Sequence, residues 1–157
     1  MAIRYPRGGE GSCTGSAWNA GMARQGGVFR HREGKDVTLL TYGTLLGNVL
    51  EAAELLAKEG IQATVLRLLT VSHLPAEEIL GLMSENRRLV LAEEVCTGSG
   101  IREALAWELE RRCPGLKMEG LDLGSEFVPH GNTQKLYEVC GLNGASIARA
   151  AKDVQNK

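Results

Sequence analysis

The stretch from Asp36 to Gly60 most constrains what this chain can fold into. Residues 37–42, Val-Thr-Leu-Leu-Thr-Tyr, form an apolar and β-branched run without a charge. Such a run suits a strand covered on both faces in a parallel sheet. After a turn at Gly43, Leu46, Val49, Leu50, Ala53 and Leu56 recur at helical spacing, while Glu51, Glu54 and Lys58 fall on the opposite face. Thr44 is placed to cap this helix and Gly60 to end it. Residues 63–69 supply the next strand, so the stretch reads as the core of a β-α-β unit.

The rest of the chain repeats the alternation. Pro75 and two glutamates introduce a helix over 76–83. Residues 88–94 are a second buried strand, and the turn Cys96-Thr-Gly-Ser-Gly100 leads into a helix over 101–112. A weaker strand follows at 117–121, then a short helix over 133–139 and a last helix over 144–154 capped by Asn143. Residues 28–30 make a short strand whose link to the next is too brief for a parallel crossover, so it runs antiparallel to the others. The expected architecture is α/β: a three-layer sandwich around an approximately five-stranded, mostly parallel sheet with one antiparallel edge strand.

A chain of 157 residues with 43% hydrophobic content supports one core, expected over 28–157. Residues 8–27 hold seven glycines. Residues 1–27 therefore read as the end of an upstream domain followed by a glycine-rich linker. With 18 basic and 19 acidic residues, the net charge of -1 gives no bulk pull towards nucleic acid or an anionic membrane. No apolar run approaches the ~20 residues of a bilayer span, and no signal-peptide core is visible, which points to a soluble, cytoplasmic protein. Cys13, Cys96, Cys113 and Cys140 show no ligand spacing and read as free thiols, with Cys96 and Cys140 acting as small hydrophobes.

In open parallel sheets ligands favour the carboxyl ends of the strands, which directs attention to the loops 42–44, 70–73 and 94–100. Gly43 and Gly47 do not form a dinucleotide fingerprint. The 97–100 turn offers backbone N–H groups to an anion, against the simpler reading that Ser99 or Thr97 caps the helix. Glu93 and Glu94 point to opposite faces and make a poor acid/base pair. His73 and His130 lack an evident nucleophile and are read as loop or interface hydrogen-bonding groups. No residue stands out as catalytic, and none as a cofactor or metal ligand.

The segments Asp36 to Thr44, Glu51 to Ile61 and Leu89 to Glu94 strongly resemble the carboxyl-terminal domain of transketolase-like, thiamine diphosphate-dependent enzymes. Within that superfamily, Arg4-Tyr-Pro-Arg-Gly8, Phe127-Val-Pro-His-Gly131 and Leu136 to Leu142 resemble the 1-deoxy-D-xylulose-5-phosphate synthase family. The resemblance implies a transferase acting on pyruvate and glyceraldehyde 3-phosphate in isoprenoid precursor synthesis, with thiamine diphosphate and magnesium as cofactors. It also implies a homodimeric parent whose upstream domains bind the cofactor. Arg7 matches the arginine that grips the substrate phosphate, and a guanidinium fork suits phosphate oxygens. The chain lacks the Gly-Asp-Gly motif of the magnesium diphosphate site, so alone it is expected to bind no cofactor and to be inactive. The segment from Asp122 to Phe127 departs from the family pattern, which leaves Asp122 without an implied role. Two alternatives stay open: the matching domain of a pyruvate dehydrogenase-type beta subunit or another transketolase relative, and a freestanding small-ligand or interaction module.

Overall fold

The computed structural model describes residues 23–156. Arg4, Arg7, Cys13 and most of the glycine-rich stretch lie outside the described residues. The elements in chain order are β1 (Ala23–Gln25), β2 (Val28–Arg32), β3 (Val37–Thr41), α1 (Leu46–Lys58), β4 (Ala63–Leu68), α2 (Ala76–Leu82), β5 (Arg88–Ala92), α3 (Arg102–Arg112), β6 (Lys117–Leu121), α4 (Thr133–Val139) and α5 (Gly144–Gln155).

The strands form one sheet in the order β1-β2-β4-β3-β5-β6. β3 sits at its centre, parallel to β4 and β5, and β6 is parallel to β5. β2 runs antiparallel to β4, pairing Val28 with Leu68 and Phe29 with Arg67, as its short link to β3 requires. The sheet holds one strand more than expected, because β1 adds to β2 as an antiparallel hairpin. Gly26 and Gly27, read as linker, are the two residues of its turn. Gly26 sits at φ 52, a backbone region that glycine enters at little cost.

Alternation along the central strands divides the core into two layers. Val37 and Leu39 of β3, with Val90 and Ala92 of β5, pack against α1 and α5. Leu40, Leu89 and Leu91 face the other way, against α2 and α3. Leu39, Leu40, Leu89 and Leu91 are fully buried. Burial of each leucine side chain stabilises the fold by about 1.5–3 kcal/mol. Helices on both faces also explain why 37–41 carries no polar face: its two threonines are buried and partnered. The Thr38 hydroxyl meets that of Ser84 at 3.1 Å, and the Thr41 hydroxyl donates to the Ala92 carbonyl at 2.8 Å.

Helix starts are less regular than the sequence suggests. A single 3-10 turn, Gly43–Leu45, precedes α1, which begins after Leu45 with no side-chain cap. The turn moves the helix start downstream, so Thr44 does not cap α1 and its hydroxyl is free to bond elsewhere. Neither Ser99 nor Thr97 caps α3, whose flanking residue is Ile101. Asn143 does cap α5, its Oδ1 accepting from the Ser146 N–H at 2.9 Å.

Candidate functional site

The loops following β3, β4, β5 and β6 gather on the carboxyl edge of the sheet. Glu93 and Glu94 leave β5 towards opposite faces, as strand alternation requires. Glu93 is 2% exposed and lies under the start of α3. Its Oε2 accepts from the Tyr42 hydroxyl at 3.0 Å and from the Ile101 N–H at 3.0 Å. The helix start that offered N–H groups to an anion is thus engaged by the protein's own carboxylate. Gly100 makes room for it, since a Cβ there would stand 2.3 Å from Glu93 Oε2.

Glu94 is exposed on the other face. Its Oε2 accepts from the Thr44 hydroxyl and, at 3.1 Å, from the Tyr137 hydroxyl of α4. Burial first, then the hydrogen bond and charge of Glu93, push the Tyr42 hydroxyl well above the usual tyrosine range. Tyr137 is raised chiefly by burial, with the Thr44 bond opposing and the Glu94 charge adding to the shift.

A third carboxylate ties the next two loops together. Asp122 Oδ1 accepts from the Thr97 hydroxyl at 2.7 Å and from the Gly124 N–H at 2.8 Å. Its Oδ2 pairs with Arg102 Nη1 at 3.0 Å. Backbone bonds run alongside, from the Leu123 N–H to the Val95 carbonyl at 2.9 Å and from the Thr97 N–H to the Gly124 carbonyl at 3.1 Å. Asp122, left without a role by sequence, latches the β5 and β6 loops.

The histidines stand apart from these clusters. His73 is exposed and reaches Ser72 Oγ at 3.3 Å, a loop hydrogen bond as expected. His130 is exposed and its side chain makes no loop hydrogen bond among the described residues. Cys96 is also exposed rather than packed, since the turn after β5 leaves the core before reaching it; Cys140 is half-buried. Cys96, Cys113 and Cys140 are free thiols.

Sequence reasoning missed the tyrosines and Thr44 as partners of the two glutamates. Strand alternation located Glu93 and Glu94, but Tyr42, 51 positions before Glu93, and Tyr137, 43 positions after Glu94, meet them only through the fold. Chemically, the arrangement anchors loops: each of the three carboxylates is already matched by protein donors.

The chain is 32% identical over 155 residues to a 1-deoxy-D-xylulose-5-phosphate synthase of Heliobacterium modesticaldum, covering 98% of the chain and 24% of that protein. It is 35% identical over 158 residues to the enzyme of the same name from an Anaeromyxobacter species, covering 98% of the chain and 25% of that protein. The chain therefore spans about a quarter of the length of these curated relatives. Among solved structures it is similar to a split-gene transketolase, described as an inactive β4 tetramer, with a TM-score of 0.70 and 26% identity over 90% of this chain and 46% of that one. A Pichia stipitis transketolase shares the fold, with a TM-score of 0.61 and 16% identity over 83% of this chain and 18% of that one. The family model described as "Transketolase, C-terminal domain" matches residues 26–147, and the chain belongs to that family.

Proposed function

We propose that the chain is the carboxyl-terminal domain of a cytoplasmic, homodimeric 1-deoxy-D-xylulose-5-phosphate synthase, that it serves assembly, and that it is inactive alone. The observation that carries this reading is the 32–35% identity to such enzymes across 98% of the chain. The parent would join pyruvate to glyceraldehyde 3-phosphate with loss of carbon dioxide, and thiamine diphosphate would supply the carbanion chemistry.

The described residues do not fit that cofactor. Glu93, Glu94 and Asp122 are matched by tyrosine, threonine, arginine and backbone donors. Among the described residues no three His, Cys, Asp or Glu side chains stand together as metal ligands. No chemical step is assigned to this chain through the cofactor. Its contribution to the site would be Arg7, gripping the phosphate of glyceraldehyde 3-phosphate by a guanidinium fork. Leu69 and Val71 after β4, together with Phe127 after β6, are exposed apolar groups on the carboxyl-edge loops, suited to burial against the upstream domains.

The test is a chimera in which this chain replaces the matching quarter of the Heliobacterium modesticaldum enzyme. The expected result is synthase activity, with Arg7→Ala raising KM for glyceraldehyde 3-phosphate and leaving KM for pyruvate nearly unchanged. A folded, dimeric chimera without activity would overturn the assignment; an Arg7→Ala chimera with unaltered KM would overturn the role of Arg7.

A further inference from the structure

A groove of about 960 Å3 opens at the amino edge of the sheet, away from the carboxyl-edge loops. Its charged lining is Arg30, Lys35, Arg87 and Arg112 against Glu33 and Glu85, a local positive excess in a chain of net charge -1. Two of the cations are already engaged: Arg30 holds Glu33 at 3.1 Å, and Arg112 is paired with Glu108 on its own helix. Lys35 and Arg87 are exposed and have no side-chain partner among the described residues; Glu85 is the one unpaired carboxylate of the lining. Leu80, Met83 and Cys113 give the groove an apolar wall.

Arg87 carries a second observation. Its φ of 52 makes it the one non-glycine residue at positive φ among the described residues. Its N–H donates to the Ser84 carbonyl at 3.3 Å and its own carbonyl accepts from the Lys117 N–H at 2.9 Å, so the turn holds it there. Glycine would adopt this conformation with less strain, yet the position carries a long guanidinium side chain that lines the groove.

We propose that this groove binds a phosphorylated small molecule, with Lys35 and Arg87 taking the phosphate oxygens and the Leu80, Met83 and Cys113 wall covering the organic part. Guanidinium and ammonium groups without protein partners are the donors that a phosphate recruits. The volume is that of a small-molecule site. An overall charge near zero gives no extended field for a nucleic acid. The proposal does not rest on the role proposed for Arg7.

Calorimetric titration of the chain with inorganic triphosphate, at ionic strength held constant with sodium chloride, tests the proposal. The expected result is saturable binding of one ligand per chain, weakened about tenfold by Lys35→Ala and by Arg87→Gly. Glu85→Gln should tighten it. Arg87→Gly also relieves the positive-φ strain, so its thermal midpoint should equal or exceed that of the parent chain, which separates lost binding from lost folding. Absence of saturable heat at matched ionic strength would overturn the proposal, as would unchanged affinity in the Lys35→Ala and Arg87→Gly variants.

Discussion

At the residue scale, Glu93 organises the carboxyl edge. A buried carboxylate is costly unless donors meet it, and here one oxygen receives both the Tyr42 hydroxyl and the first free N–H of a helix. Gly100→Ala would drive a Cβ into that carboxylate. The expected loss is about 1–3 kcal/mol in urea unfolding, the cost of leaving a buried polar group poorly matched. Tyr42 makes the same contact sensitive to base. Its folded-state pKa is raised above the ordinary 10.0, so the folded state holds this proton where the unfolded chain releases it. Stability from this source is complete below pH 10 and falls as pH rises above it. Tyr42→Phe should flatten that fall in denaturation series run between about pH 9 and 11, with Tyr137, shifted the same way, sustaining the remainder.

His31 works at the other end of the scale. Its ring nitrogens are buried without a hydrogen-bond partner among the described residues, and burial, then the Arg67 charge, hold its pKa below the ordinary 6.5. The unfolded chain therefore takes up a proton that the folded one resists, and stability falls as pH drops below about 6.5. His31→Gln should lessen the loss between about pH 7 and 5, read by the shift in urea midpoint relative to the parent chain. Sequence singled out His73 and His130 for their loops and passed over His31, which fell just beyond the expected strand 28–30, whereas β2 continues to Arg32 and carries it against Arg67 and Phe29.

At the element scale, the parallel strands and the helices between them were legible because each carries its own period. The uncharged run 37–41 suits a doubly covered strand, and the apolar face of α1 recurs at helical spacing. The start of α1 was not legible. Thr44 has the chemistry of a cap, but a 3-10 turn places the helix start after Leu45 and gives the Thr44 hydroxyl to Glu94. β1 was lost for a related reason: two glycines in a glycine-rich stretch read as linker, whereas a strand on each side makes them a hairpin turn. The latch around Asp122 belongs to this scale, since it fixes two loops to each other. Asp122→Ala should speed amide hydrogen exchange at Thr97 and Leu123 and leave the N–H groups of β3 protected, because the latch lies outside the central sheet.

At the scale of the whole molecule, two helical layers close both faces of the sheet while the carboxyl-edge loops keep Leu69, Val71 and Phe127 exposed, Phe127 at 97%. No helix among the described residues is long and apolar enough to cross a membrane. The fold class and the family could be read from the sequence, since both rest on patterns spread through the chain. The site could be read only in part: Arg7, the residue proposed to touch substrate, lies outside the described residues, and the pairings of Glu93, Glu94 and Asp122 exist only once distant segments meet. In the synthase proposed above, a domain whose carboxylates are matched internally would contribute position and docking area. The most direct measurement is carbon dioxide release from pyruvate in the presence of thiamine diphosphate and magnesium, with the isolated chain compared with the chimera. The expected result is release at the protein-free background from the isolated chain and sustained release from the chimera; sustained turnover by the isolated chain would contradict the assignment.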